Sequence, residues 1–196
     1  MATMIRPATP ADVRQILVFI RALAAYEREP DAVTATEQGL LRDGFGPHPY
    51  FQCLIAEHGE KPAGFALYFF NYSTWMGRPG MYLEDLFVEP EFRGRGIGKA
   101  LLQRVAAVAV EKGCKRLQWE VLDWNTPAID FYAAMGAEFL DEWRNVRVSG
   151  EALTKSAGFG GPDAESLEAS SFPRTSDERT GDHDAPPSAP NRERAS

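Results

Sequence analysis

The sequence predicts a single α/β (α+β) domain in which helices flank a mixed central β-sheet of about six to seven strands. Apolar residues alternate along the chain between the two-residue period of strands and the longer period of helices. A hydrophobic content of 44% in 196 residues suits one core. The last 41 residues contain 5 Pro, 4 Gly and 7 Ser, so we expect a folded domain over residues 1–155 and a disordered, acidic tail over residues 156–196.

The first predicted elements are one strand and two helices. A short strand is predicted at residues 4–6. Thr9 has the character of a helix N-cap, because Pro10 and Asp12 suit a first turn, and apolar residues then recur at three- and four-residue spacing up to residue 24. Pro30 ends this helix, and a second, shorter helix follows residues 34–37 and ends near residue 44.

The remaining elements alternate between strands and helices. Residues 51–57 and 63–72 predict a β-hairpin, because a polar connector with turn residues joins them. Gly113 ends a long amphipathic helix that begins at residue 97, and Gly136 ends a shorter one at residues 127–135. Further strands are predicted at residues 81–88, 117–122, 139–140 and 143–148, which completes the order βααβββαβαββ.

Charge and composition exclude several classes of protein. A formal net charge of −7 lacks the basic footprint of nucleic-acid binding and favours a cationic partner. No apolar run is long enough to span a membrane and the first residues do not form a signal peptide, so we expect a cytoplasmic protein with no membrane partner. The three histidines lack metal-ligand spacing, so no metal is expected.

A glycine-rich turn, Arg93-Gly-Arg-Gly-Ile-Gly98, stands between a predicted strand and the long helix. Alternating glycines let backbone amides converge, and a helix N-terminus favours an anion, so the turn predicts a phosphate-bearing ligand. A Walker-type loop does not fit, because arginine occupies its first glycine position and Ala100 follows Lys99. The spacing of a dinucleotide-binding loop is not met either. The alternative is that the glycines only form a tight connection.

The turn resembles the [QR]xxGx[GA] signature of the GNAT superfamily of N-acetyltransferases, with Arg93, Gly96 and Gly98 at the fixed positions. Further segments between residue 4 and about residue 150 resemble the diamine acetyltransferases, a subgroup that includes spermidine/spermine and thialysine N-acetyltransferases: Ile5-Arg-Pro-Ala-Thr, Asp43-Gly-Phe-Gly, Tyr82-Leu-Glu-Asp, Trp124-Asn, Phe131-Tyr and Met135-Gly-Ala. The resemblance implies the GNAT fold, acetyl-CoA as cosubstrate, a small cationic amine as acceptor and a homodimer.

The resemblance also implies which residues bind acetyl-CoA. The backbone of one strand pairs with the pantetheine arm, the glycine-rich turn wraps the pyrophosphate, and the start of the following crossover helix makes a second contact. These residues are Leu86, Phe87 and Val88, then Arg93, Gly94, Arg95, Gly96, Ile97, Gly98 and Lys99, and finally Asn125, Thr126, Pro127 and Ala128. The alternative for Asn125 is a residue of the helix-entry turn.

Two residues are candidates for proton transfer. An aliphatic ammonium has a pKa near 10.4, so it must lose a proton before or during its attack on the thioester. Glu84 and Asp85 are adjacent on a strand and therefore point to opposite faces; by the family match Glu84 is the acceptor, or else a structural anchor. Tyr132 matches the family's tyrosine near the coenzyme sulfur and would donate to the departing thiolate; otherwise Phe131 and Tyr132 form a packed aromatic pair.

The family match places the amine among aromatic and acidic side chains, which would hold it by charge pairing and cation–π contact. The candidates are Tyr26, Glu27, Glu84, Gln118, Trp119, Glu120 and Glu142, with Asp141 as an alternative to Glu142. The choice among spermidine, diamines and thialysine stays open. A protein lysine or N-terminus as acceptor, and a non-catalytic acyl-CoA sensor, are the competing functions.

Overall fold

A computed structural model describes residues 2–158 of the chain. The α/β fold class is confirmed: helices flank a mixed five-stranded sheet. The described residues divide into two units, one that ends at Ala137 and one that begins at Glu138. The first unit contains, in chain order, β1 (Thr3–Pro7), α1 (Val13–Tyr26), α2 (Glu37–Phe45), β2 (Gln52–His58), β3 (Lys61–Ser73), β4 (Arg78–Val88), α3 (Ile97–Glu111), β5 (Leu117–Gln118) and α4 (Thr126–Ala134).

The sheet has the strand order β1-β2-β3-β4-β5. The first four strands are antiparallel neighbours, and β5 pairs with β4 in parallel. The parallel ladder has two residue pairs, Met81 with Leu117 and Tyr82 with Gln118, after which the two strands separate. This separation opens the sheet beside the second half of β4 and creates the space in which the candidate site lies.

The helix starts follow the local signals in the sequence. Thr9 and Asp12 form a capping box around a short 3-10 turn that leads into α1. The Thr36 hydroxyl caps α2 by accepting a hydrogen bond from the Gly39 amide, 3.0 Å away. Arg6 of β1 pairs with Asp12 at 2.8 Å and with Glu57 of β2 at 2.7 Å, so the entry to α1 is tied to the sheet.

Apolar side chains pack on both faces of the sheet. On one face, α3 and α4 cover a core that includes Met81, Leu83, Leu101, Val105 and Tyr132. On the opposite face, α1 and α2 cover a second core, whose largest fully buried side chains are Phe19, Phe65, Ile16 and Ile55. Burial of both faces explains why β2 and β3 are apolar at almost every central position rather than at alternate ones.

Three sequence predictions about strands are wrong for the described residues. The strand predicted at residues 117–122 pairs only at Leu117–Gln118, because the chain leaves β4 at that point. Residues 139–140 and 143–148 form no strand, so the sheet has five strands instead of six to seven. A strand needs a neighbour for its backbone hydrogen bonds, and aromatic and branched residues such as Trp143 and Val146 predict strand propensity but not a pairing partner.

The described part of the second unit contains one helix, α5 (Gly150–Ser156), which the sequence analysis did not predict. Its seven residues are too few for a clear helical period in the sequence. Two local features accompany it: Ser149 is its N-cap residue, and Lys155 pairs with Glu151 one turn earlier at 2.8 Å. All but the first three residues of the tail predicted at residues 156–196 lie outside the described residues. None of the helices between residues 2 and 158 is long and apolar enough to cross a membrane.

Candidate functional site

The opening between β4 and β5 is a cavity of about 590 Å³ in the first unit. Its walls come from the end of α1, the second half of β4, the turn that leads into α3, the residues that follow β5, and α4. A cavity of this size at a point where a sheet splits suits a small-molecule ligand. It brings together residues as far apart in the sequence as Leu23 and Tyr132.

Glu84 occupies a β-bulge in β4. Leu83 pairs with Tyr68 and Asp85 pairs with Leu67, so Glu84 is an extra residue without a partner on β3. Its side chain is exposed and lines the cavity. The bulge therefore directs a carboxylate into the opening while the strand on either side keeps its pairing.

Asp85 does not line the cavity. Burial raises its pKa to about 7, and the neighbouring negative charges of Glu84 and Glu27 add to the effect. Within residues 2–158 it has neither a hydrogen bond nor an ion pair that would favour the charged form. The two adjacent carboxylates thus lie in different environments: Glu84 is exposed and Asp85 is partly buried.

The glycine-rich turn has a backbone conformation that residues other than glycine rarely adopt. Gly94 and Gly96 have φ of 73° and 78°, in the left-handed region, and Gly96 is the N-cap of α3. A Cβ at either position would meet no atom within 4 Å, so conformation rather than crowding requires glycine there. The turn and the first residues of α3 present unpaired backbone amides to the cavity, together with the ammonium of Lys99.

Arg93 folds back against the protein. Its Nε donates to the Val88 carbonyl at 2.9 Å, and its Cζ lies 4.7 Å from the ring centroid of Tyr26 and 5.6 Å from that of Phe87. Arg95 points elsewhere: it donates to the Glu91 carbonyl at 3.3 Å and is not part of the cavity wall. Arg93 thus links the end of β4 to the end of α1.

Tyr132 of α4 lies in the wall with its side chain 8% exposed. Its ring centroid is 5.0 Å from that of Trp119 and 5.2 Å from that of Phe131, so it is both a cavity residue and part of an aromatic cluster. Burial, with a smaller contribution from Glu27, raises its pKa to about 12. The phenol is therefore a protonated donor at every pH at which the protein would be assayed.

Three carboxylates, those of Glu27, Glu84 and Glu120, line the cavity. Burial raises the pKa of Glu27. Glu120 accepts a hydrogen bond from the Tyr82 hydroxyl at 2.8 Å. Trp119 and Tyr26 also line the cavity, so its wall combines acidic and aromatic groups with the glycine-rich turn.

Most of the predicted site residues meet in this cavity. They are Tyr26, Glu27, Glu84, Leu86, Phe87, Val88, Arg93, Gly94, Gly96, Ile97, Gly98, Lys99, Trp119, Glu120, Asn125, Pro127, Ala128 and Tyr132. Four predicted residues are not part of its wall: Arg95, Gln118, Thr126 and Glu142. Gln118 is still paired with β4, and Glu142 belongs to the second unit.

The sequence analysis missed several apolar wall residues, namely Leu23, Leu83, Phe92, Val121 and Leu122. Leu23 lies on the apolar stripe of α1, where the sequence predicts only core packing. Apolar side chains carry no chemical signal that separates a cavity wall from a core. Only the splitting of the sheet, which is a tertiary feature, places them in the wall of a cavity.

The residues present fit acetyl-CoA. The left-handed glycines and the amides at the start of α3 form a cradle for a pyrophosphate, and Lys99 adds a positive charge. Leu86, Val88 and Phe131 supply an apolar wall for a pantetheine arm. Asn125 supplies a polar side chain on the opposite wall.

Comparisons with known proteins agree with this fit. Residues 16–137 match the model of the acetyltransferase (GNAT) family. The chain is 46% identical over 166 residues to thialysine N-epsilon-acetyltransferase of Bos taurus, which covers 79% of this chain and 97% of that protein. It is 34% identical over 198 residues to L-ornithine N5-acetyltransferase of Arabidopsis thaliana, covering 78% and 87% of the two chains. The solved structure of an integron cassette protein from V. cholerae superposes with a TM-score of 0.68 at 30% identity, covering 80% and 98%.

Proposed function

The chain belongs to the GNAT family of acetyltransferases, and we propose that it moves the acetyl group of acetyl-CoA to a primary amine of a small cationic substrate, either a polyamine or diamine or a thialysine-like amine. One observation carries the proposal: a single cavity has an anion cradle at the glycine-rich turn and three carboxylates with an aromatic wall elsewhere. These two sets of groups match the opposite charges of the two reactants.

Acetyl-CoA would supply an activated acetyl thioester. Leu86, Phe87 and Val88 would align the pantetheine, the segment from Arg93 to Lys99 would hold the pyrophosphate, and residues 125–128 would contact the opposite side. Because Val88 already accepts a hydrogen bond from Arg93, its carbonyl has one remaining lone pair for a ligand. Direct attack in a ternary complex needs only that both reactants lie in this cavity together.

Two residues of the chain would move protons. Glu84 would accept a proton from the ammonium, directly or through a water, because its exposed carboxylate stands at the bulge within the cavity. Tyr132 would donate a hydrogen bond or a proton to the departing sulfur. A phenol with a pKa near 12 does not transfer its proton completely to a thiolate, so its contribution is a partial donation in the transition state.

The substrate end of the cavity supports a small amine. Glu27 and Glu120 provide negative charge for an ammonium, and Trp119 and Tyr26 provide aromatic faces. Glu142 remains a proposed substrate contact, as an alternative to Asp141. The net charge of −7 further favours a cationic acceptor.

We also infer a homodimer in the cytoplasm. At the connection between β3 and β4, Tyr72, Trp75 and Met76 are 61%, 90% and 56% exposed, and such an apolar group is expected at an interface. Both cysteines are free thiols, as in a reducing compartment. Light scattering should give about twice the chain mass of 21.7 kDa, and a monomer at assay concentration would contradict the dimer.

The proposed activity is tested by acetyl-CoA turnover, read as free thiol, against spermidine, putrescine, thialysine, lysine and a histone-like peptide. We expect turnover with at least one small amine and little with the peptide. Turnover confined to the peptide would instead indicate a protein acetyltransferase. Tight binding of coenzyme A without turnover of any acceptor would contradict the catalytic proposal and favour a sensor.

A further inference from the structure

Arg28 and Trp124 form a cation–π pair beside two residues of the cavity wall. Arg28 follows α1 directly and has a φ of 69°, in the left-handed region that non-glycine residues rarely adopt. Its guanidinium carbon lies 4.2 Å from the centroid of the Trp124 ring. Neither residue belongs to the cavity wall, but each follows or precedes a wall residue in the chain, Glu27 and Asn125 respectively, so the pair lies beside the wall.

The guanidinium is available to a ligand. Arg28 is exposed, and within residues 2–158 its guanidinium pairs with no carboxylate and donates no hydrogen bond; only its backbone amide donates, to the Ala25 carbonyl at 3.2 Å. Stacking on Trp124 fixes the plane of the group and leaves its N–H donors at the edge, where they suit bidentate recognition of a carboxylate.

We propose that Arg28 binds the carboxylate of an amino-acid substrate and thereby selects side-chain amines of amino acids over diamines and polyamines. This inference rests on the proposed function. The head of an amino acid carries an ammonium beside a carboxylate, and Glu27 and Arg28 present the two complementary charges on adjacent residues. The distal ammonium of a diamine would instead meet a like charge at Arg28.

Matched substrates test the carboxylate directly, because L-ornithine and putrescine, or L-lysine and cadaverine, differ only by this group. We expect the wild-type enzyme to have a higher kcat/KM for the amino acid of each pair. Arg28→Gln should lower kcat/KM for the amino acid by about tenfold or more, mainly through KM, because a charge-assisted hydrogen bond is lost. Turnover of the diamines should be unchanged or faster, and Arg28→Lys should retain part of the preference.

Arg21→Gln is the matched control, because Arg21 is exposed on α1 and its substitution removes the same charge at a different place on the surface. It should leave the preference intact. Equal losses for the amino acid and the diamine in Arg28→Gln, or a wild-type preference for the diamine, would overturn the role of Arg28 while leaving the proposed function standing. No turnover of any amine would overturn the proposed function and this inference together.

Discussion

The Tyr26 hydroxyl donates a hydrogen bond to Asn125 Oδ1 at 2.9 Å, and so joins the end of α1 to the start of α4 across the candidate site. Asn125 is 8% exposed, so this bond satisfies a buried acceptor. With its oxygen engaged, the amide has its Nδ2 donor left for a ligand in the cavity. Arg93 stacks on the same tyrosine ring, which connects three walls of the cavity through one side chain.

We expect Tyr26→Phe to weaken acetyl-CoA binding by about five- to tenfold, because the Asn125 amide loses the bond that orients it and its buried oxygen loses a donor. The phenyl ring preserves the contact with Arg93. Steady-state KM and calorimetric titration of coenzyme A measure the effect. Tyr50→Phe, at a residue 74% exposed, is the control. Equal coenzyme affinity in both variants would contradict the proposed orientation of Asn125.

Local signals and long-range contacts explain which parts of this structure the sequence could predict. Helix starts depend on residues a few positions away, and the sequence predicts them closely: Thr36 caps α2, and Thr9 caps the 3-10 turn that precedes the start of α1 at Val13. The length of β5 depends instead on where the chain leaves β4, which no local pattern encodes. The contact between Arg93 and Tyr26 joins distant residues, so the motif identifies Arg93 as a candidate but does not predict that it folds back.

Tyr132→Phe should lower kcat by about ten- to a hundredfold and leave the dissociation constant of coenzyme A nearly unchanged, because only the departing sulfur needs the hydroxyl. The pKa of about 12 implies that the wild-type rate does not fall between pH 8 and 10 through ionisation of this group. Rapid-mixing kinetics with equilibrium binding separates the two effects. A parallel loss of coenzyme affinity would indicate that Tyr132 serves packing against Trp119.

Glu84→Gln should change the shape of the pH profile of kcat/KM, and not lower kcat/KM by the same factor at every pH. Without the carboxylate the ammonium must lose its proton to solvent, so the deficit is greatest near neutral pH and shrinks as pH rises toward the amine pKa near 10.4. Glu60→Gln, in the exposed turn between β2 and β3, is the matched control. A deficit independent of pH would show that Glu84 binds the substrate without accepting its proton.

Gly96→Ala should raise the KM for acetyl-CoA strongly, because a Cβ at a φ of 78° strains the turn and displaces the amides at the start of α3. Gly113→Ala is the matched control, with a φ of 74° and equally open surroundings beyond the end of the same helix. Both variants should lose about 1–2 kcal/mol of stability in urea unfolding. If Gly113→Ala raised the KM as much, strain alone rather than the cradle would account for the loss.

Asp85→Asn should stabilise the protein at alkaline pH and have little effect near pH 4. The pKa of Asp85 rises from about 3.8 in the unfolded chain to about 7 in the folded protein, so folding is favoured while the carboxyl keeps its proton. That stability is complete below the unfolded pKa and is lost as pH rises through the folded one. At pH 8 the neutral amide avoids a buried charge and should add about 2–4 kcal/mol to the free energy of unfolding.

Urea unfolding at pH 4 and pH 8 measures this difference, with Asp130→Asn on the exposed face of α4 as the control. The control should change the free energy of unfolding by less than about 0.5 kcal/mol at either pH, because Asp130 is an exposed surface residue. An Asp85→Asn variant less stable than wild type at pH 8 would mean that Asp85 is ionised and stabilising in the folded protein. The raised pKa of Asp85 would then be wrongly assigned, and both Asp85 and Glu84 would become candidates for the proton acceptor of the reaction.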